Sequence, residues 1–216
     1  MKLYAHPFSA YCQKVLIALY ENHTPFELRM LAGDEQIAAE HAALWPLKRM
    51  PVLVDGIRTV LEASIIVEHL GLHHPGPVRL FPEDPQAVLD VRMMDRIFDN
   101  YVSTPMQKIV FDGIRATENR DYQGVTEARK MLDTAYRWLN VAMTGREWAA
   151  GTTFSLADCA AAPALFYADW VHPIGEAFSS VRAYRNRLLA RPSFARAVGE
   201  ARPYRHLFPL GAPDRD

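Results

Sequence analysis

The sequence predicts an α+β protein, with a small mixed domain over residues 1–74, a linker over 75–85 and an all-α domain over 86–216. Three observations predict it. Short apolar runs alternate with helical stripes as far as Leu70. Pro75, Gly76, Pro77, Pro82 and Pro85 then break all periodicity. Beyond them only helical spacing remains.

Residues 2–5 read as a first strand and residues 10–21 as a helix, in which Cys12, Val15, Leu16 and Leu19 fall on one face. Ile17 and Ala18 make the other face apolar too, as in a helix held between a sheet and a further layer. Residues 26–30 form a second strand after the Thr24-Pro25 turn, and a weaker, polar helix follows over 34–43. The β-branched runs 52–54 and 57–60 read as a hairpin joined by Asp55-Gly56. Ile65, Ile66, Val67 and Leu70 belong to a last helix that stops at Gly71 as its C′ residue. The order is β-α-β-α-β-β-α, which right-handed crossovers fold into a four-stranded mixed sheet with helices packed on it.

In the second part Asp84-Pro85 supplies an N-cap and first helical residue. Val91, Met94, Phe98 and Val102 recur at helical spacing until Thr104-Pro105 interrupts them. The stripe from Ala128 to Ala142 is closed by Gly145. Ser155-Leu156-Ala157-Asp158 resembles a capping box, and the helix it opens is apolar nearly all round, as befits the centre of the domain. Further helices are predicted over 175–190 and 193–200, with an irregular tail from Arg202.

Half of the 216 residues are hydrophobic and the formal net charge is -1, so no electrostatic footprint for nucleic acid or an anionic membrane exists. The start of the chain lacks the apolar core of a signal peptide, and the most apolar stretch, 159–168, is too short to span a bilayer. Two cysteines give no disulfide framework. The expectation is a cytoplasmic protein that needs no metal.

Two features carry chemistry. Pro51 begins a strand, the one place in a sheet that readily accepts a residue without an N–H, and is a candidate cis bond. That geometry turns the backbone of Met50 outward to pair with an extended peptide. The helix start at Glu62-Ala63-Ser64 lies close by, and its unpaired N–H groups suit a carboxylate. Together they describe a place to hold a small acidic peptide. The second feature is Ser9-Ala10-Tyr11-Cys12, which has Cys-x-x-Cys spacing with serine in place of the attacking thiol. No dithiol can form there. A hydroxyl at a helix N-terminus instead suits a docked thiolate: a hydrogen bond to a charged group contributes about 1.5–3 kcal/mol, enough to lower a thiol pKa by roughly one to two units from about 8.5.

These motifs, with Arg49-Met50-Pro51-Val52-Leu53 and Phe154-Ser155-Leu156-Ala157-Asp158, make the whole chain resemble the soluble glutathione transferases, and the bacterial members most. The resemblance implies a thioredoxin-like N-terminal domain that binds glutathione as co-substrate, an all-helical C-terminal domain that helps form the electrophile pocket, and a homodimer. Ser9 matches the activating serine of the serine-type classes. Met50 and Pro51 match the residues that pair with the cysteinyl part, Arg49 a basic residue that reaches the glycyl end, and Glu62 the acid that holds the γ-glutamyl end. The family usually places serine after that acid; here Ala63 stands there and Ser64 follows, so a side-chain hydrogen bond is lost or shifted. Phe8, Tyr11, Tyr101 and Met106 fall where the electrophile would sit, and Asp95 where some members reach into the partner subunit.

Plainer readings compete at several positions. Serine is an ordinary turn and helix-start residue, but with Pro51 and Glu62 present the catalytic reading of Ser9 is preferred. Cys12 lies on the apolar stripe and reads as packing; its place near a helix start keeps it as the alternative nucleophile of a thioltransferase, beside isomerase and dehalogenase readings. Cys159 reads as core, and His6 flanks the serine. His73-His74 are expected to be solvated linker histidines. A non-catalytic binding module is the remaining alternative, motivated by Ala63.

Overall fold

The computed structural model describes residues 1–216. The first part runs β1 (Lys2–Ala5), α1 (Ala10–Glu21), β2 (Glu27–Met30), α2 (Glu35–Leu44), β3 (Val52–Asp55), β4 (Arg58–Leu61) and α3 (Ala63–His73). The sheet order is β2-β1-β3-β4, with β1 parallel to β2 and antiparallel to β3. This is the predicted mixed, thioredoxin-like sheet. Leu3 lies opposite both Leu28 and Leu53, and the inner residues Leu3, Ala5 and Leu53 are fully buried. α1 follows because its apolar residues occupy both faces: 12–19 are all buried.

Two boundaries differ from expectation. Asp55 pairs with Arg58, so the hairpin turn is Gly56-Ile57 and not Asp55-Gly56. Gly56, with φ 59°, takes the first turn position, where glycine alone is unstrained. Gly71 does not stop α3, which continues to His73; His74 closes it by donating its N–H to the Leu70 carbonyl at 2.8 Å. Gly71 instead lies beneath the Phe81 ring, 3.4 Å from where a Cβ would sit.

The helical part comprises α4 (Pro85–Ile97), a π-helical turn (Phe98–Ser103), α5 (Thr104–Ile114), α6 (Tyr122–Ala142), α7 (Leu156–Val171), α8 (Ser179–Leu189) and α9 (Pro192–Ala201). Asp84 caps α4, accepting from the Ala87 N–H at 2.8 Å. The wide turn before Pro105 makes room for a residue with no N–H, and the Thr104 hydroxyl donates to the Asp99 carbonyl at 3.0 Å. Residues 175–178 form a turn rather than the start of α8. The tail is not irregular throughout, since Arg202–Leu207 forms 3₁₀ turns. Arg202 and Arg205 pair with Asp216, and Arg215 with Asp169, which holds the tail against the body. No helix is long and apolar enough to cross a membrane.

The two parts share one cluster of 50 buried apolar residues. α1 supplies one side of it and α7, buried almost all round, the other. Polar links cross the same seam. Gln13 donates to the Tyr167 hydroxyl at 3.1 Å, Arg191 holds Glu21 through two bonds of 2.7 and 2.6 Å, and the Leu156 N–H donates to the Leu80 carbonyl.

Candidate functional site

A cleft of about 700 Å³ opens between the loops at one end of the sheet and the helices α4, α5 and α7. One wall is polar and comes from the first part of the chain: Ser9, Lys48, Arg49, Glu62, Ala63 and Ser64, with Met50 and Pro51 beside them. The other is apolar, from Met106, Val110, Phe111, Ile114, Tyr167 and Phe208. Phe8 and Tyr11 lie where the two walls meet. The Met50–Pro51 bond is cis, as the sequence predicts.

Ser9 precedes α1 in extended geometry, and its side chain makes no capping bond to the helix. Its backbone N–H donates to the His6 carbonyl at 3.0 Å. The loop around it is fixed from behind. Gln13, fully buried, donates from Nε2 to the Pro7 carbonyl at 2.9 Å, and the His6 Nδ1 accepts from the Phe8 N–H at 3.1 Å. Burial lowers the His6 pKa, so the imidazole stays neutral and keeps that acceptor. His6 itself packs edge-on to Tyr204 and does not line the cleft.

Glu62 stands at the start of α3 with φ 66°, a left-handed conformation that a residue with a Cβ adopts rarely. Its carboxylate is exposed, lines the cleft and caps nothing. Backbone strain of this kind costs on the order of 1–3 kcal/mol and concentrates at ligand clamps. Next to it Ala63 is buried, with its backbone N–H in the first turn of α3.

Ser64 lines the cleft, yet its hydroxyl is committed inward. It accepts from Lys14 Nζ at 2.8 Å, donates to Asp95 Oδ2 at 2.9 Å and also bonds Arg96. Lys14, 1% exposed, pairs with Asp95 and, at 2.9 Å, with Asp99. Burial raises the Asp99 pKa, with the Lys14 charge pulling the other way. Asp95 sits inside this network, buried and paired with Lys14, and does not line the cleft. Its neighbours Arg96 and Asp99 reach the cleft instead.

Tyr101 lies apart from the cleft that the sequence places it in. It is half-exposed and outside the cleft, whereas Asn100 lines it. The π-helical turn changes the angular step per residue, so the spacing of α4 does not carry through to Tyr101. Tyr11 does line the cleft; burial first, then the Asp99 charge, pushes its hydroxyl up to about 12 and leaves it a proton donor. Cys12 is fully buried on the inner face of α1, and burial pushes its thiol up to about 11 against the smaller pull of the Ser9 hydroxyl. Cys159 is likewise core. His74 is no solvated linker residue: it and His69 bond Asp55 and together hold that carboxyl down to about 2.

Sequence reasoning missed Gln13, Lys14, Arg96 and Tyr167. The signal was present in the first two, adjacent polar residues in a helix apolar on both faces, which must find buried partners.

A thioredoxin-like sheet with a cis-proline corner, joined to a helical bundle across a cleft, defines a class, and comparison with known proteins agrees. The glutathione S-transferase N-terminal domain model matches residues 3–78 and the C-terminal domain model residues 122–187. A glutathione S-transferase from Methylobacterium radiotolerans, solved in complex with glutathione sulfonate, matches with a TM-score of 0.78 at 29% identity, covering 91% of this chain and 93% of that one. A glutathione S-transferase of Silene vulgaris is 27% identical over 211 residues, 92% of this chain and 96% of its own length. A stringent starvation protein A homolog of Haemophilus influenzae is 26% identical over 205 residues, 94% of this chain and 92% of its own. The chain belongs to the glutathione transferase superfamily.

Proposed function

We propose that this chain is a serine-type glutathione transferase that conjugates the glutathione thiolate to a small, largely apolar electrophile. The observation that carries the reading is the Ser9 hydroxyl, free of any capping bond and set on the same cleft as the Met50–Pro51 corner and the Glu62 carboxylate. In this reading Glu62 holds the γ-glutamyl ammonium, and the Ala63 N–H with the start of α3 holds the neighbouring carboxylate. The Met50 backbone pairs with the cysteinyl unit, and Arg49 or Lys48 meets the glycyl carboxylate. The cysteinyl sulfur then faces Ser9, whose O–H donates to the thiolate. The electrophile sits against Met106, Val110 and Phe111, and attack is favoured by thiol activation and by orientation in a cleft away from bulk water. The glutathione sulfonate complex of the M. radiotolerans relative supports the ligand class.

The test is a titration of thiolate absorbance in the glutathione complex of wild type and Ser9→Ala. The variant should raise the bound thiol pKa by roughly one to two units. An unchanged titration removes Ser9 from the mechanism.

A second reading, a non-catalytic member of the same fold, is favoured by one observation. Ala63 has no hydroxyl and that of Ser64 is taken by Lys14, Asp95 and Arg96, so no serine side chain is free for the γ-glutamyl carboxylate. Calorimetry showing no glutathione binding at millimolar concentration would select it. We also propose a homodimer, for which Leu89 and Met93, half-exposed on α4, supply apolar surface; sedimentation equilibrium tests this.

A further inference from the structure

One cluster of ligating side chains lies outside the cleft. Asp55 ends β3, His69 lies in α3, and His74 is the residue that closes that helix. His69 Nε2 is 2.9 Å and His74 Nε2 2.6 Å from the same atom, Asp55 Oδ2. One ligand atom from each of the three side chains lies within 4.8 Å of the other two. The His69 ring is 8% exposed, whereas Asp55 and His74 are 23% and 33% exposed, so the cluster is walled on one side and open to water on the other.

We propose that Asp55, His69 and His74 form a binding site for a borderline divalent cation of the zinc class, with water in the remaining position. Two imidazoles and a carboxylate are the donor set such ions prefer, and three protein ligands plus water is a common zinc arrangement. Bond lengths of about 2.0–2.2 Å place tetrahedral ligand atoms roughly 3.3–3.5 Å apart. The imidazole–carboxylate distances here are shorter, so Asp55 has to retreat by roughly half an ångström to admit the ion. Its partial exposure permits that rotation. A neighbouring ring, His73, packs at a tilt against His69 with centroids 4.5 Å apart and limits its swing. The alternative is a plain pair of histidine–carboxylate hydrogen bonds. What favours the ion is convergence: both ring nitrogens aim at one oxygen, from two places on a helix end, while the carboxylate comes from a strand.

An ion there would tie the end of β3 to the end of α3, where the chain leaves for the helical part. Binding to the folded state alone would stabilise it in proportion to the logarithm of ion concentration over Kd. The proposed site departs from the sequence expectation of no metal because the fold brings Asp55 to histidines fourteen and nineteen positions away.

The experiment is calorimetric titration of zinc chloride into the untagged full-length protein after chelator treatment, for wild type, Asp55→Asn and His74→Asn. His23→Asn, at an exposed histidine elsewhere, controls for surface binding. Both test positions are partly exposed, and melting curves without zinc establish that the variants fold. One zinc per wild-type chain is expected, with affinity at least about 100-fold weaker in both test variants, beyond the 10–100-fold typical of losing an outer partner. Zinc should raise Tm in wild type and His23→Asn only, and the cobalt(II) form should show tetrahedral absorption that His74→Asn lacks. No saturable zinc binding by wild type, or unchanged affinity in either test variant, overturns the site. None of these readings involves glutathione, so they stand apart from the function of the cleft.

Discussion

The serines that precede α1 and α7 are used in opposite ways. At α7, Ser155 and the loop before it converge on Asp158. This carboxylate accepts from the Ala149 N–H and the Ser155 N–H at 2.9 Å, from the Ser155 hydroxyl at 3.1 Å and from the Tyr184 hydroxyl at 2.6 Å. Ser155 and Asp158 are both buried. At α1, Ser9 caps nothing and lines a cleft. A helix start with its donors satisfied is architecture; one left open at a cleft offers those donors and a hydroxyl to a ligand. Residue type alone does not separate the two. The third residue of each helix does, aspartate at α7 and cysteine at α1, since only the first can accept strongly from the cap.

The comparison breaks most sharply under Asp158→Ala. Four buried donors lose their acceptor at once, each at about 1–3 kcal/mol when unsatisfied. The expected loss is at least about 4 kcal/mol, read as a lower urea midpoint with unchanged slope. Asp158→Asn should cost less, because one oxygen survives. A loss below about 1 kcal/mol for the alanine variant would mean that the α7 start is not the structural one.

Lys14→Met comes next. It removes the buried cation between Asp95 and Asp99 and leaves Arg96 as the one cation on both carboxylates. Breaking such a group by deleting one partner costs about 3–5 kcal/mol, and the lower end is expected because Arg96 remains. The variant also frees the Ser64 hydroxyl from its inward bond to Lys14. Glutathione affinity, measured in the folded fraction, should therefore change along with stability, which links the second region to the cleft.

Ser9→Ala sharpens the contrast from the other side. With no capping bond to lose, stability should stay within about 0.5 kcal/mol, while the bound thiol pKa rises. The sign follows directly. The thiolate is the reactive form, so a raised pKa lowers turnover most below neutrality and least above pH 9, and the activity profile moves to higher pH. A loss of turnover that is uniform with pH would assign Ser9 to packing.

These positions also show what the sequence could carry. The strand and helix order, the cis-proline corner and the capping box were legible because each depends on residues within about ten positions of one another. Tyr101 was misplaced because a π-helical turn intervenes, and no spacing rule for an α-helix survives it. Gly71 read as a stop signal, yet its role is set by Phe81 lying across it. The polar wall of the cleft comes mainly from three short segments, each readable as a motif on its own; the apolar wall needs side chains from α5, α7 and the tail, whose meeting is a property of the packed core alone.

The smallest expected effect on activity belongs to Cys12→Ala, and it decides between two chemistries. Cys12 is 0% exposed and its thiol is pushed by burial from the ordinary 9.0 up to about 11. A protonated, enclosed thiol is a poor nucleophile, so the variant should keep glutathione-dependent activity near wild type and lose about 1 kcal/mol of stability from the small void. Activity lost here and kept in Ser9→Ala would instead favour a thioltransferase. The same group predicts a pH dependence. Below pH 9 the thiol is protonated in both folded and unfolded chains, and its contribution is fully present. Between about 9 and 11 the unfolded chain releases the proton while the folded one retains it, so stability falls as pH rises. Alanine cannot titrate. The stability gap between wild type and Cys12→Ala must therefore narrow across that interval, and urea denaturation at pH 8 and pH 10 measures whether it does.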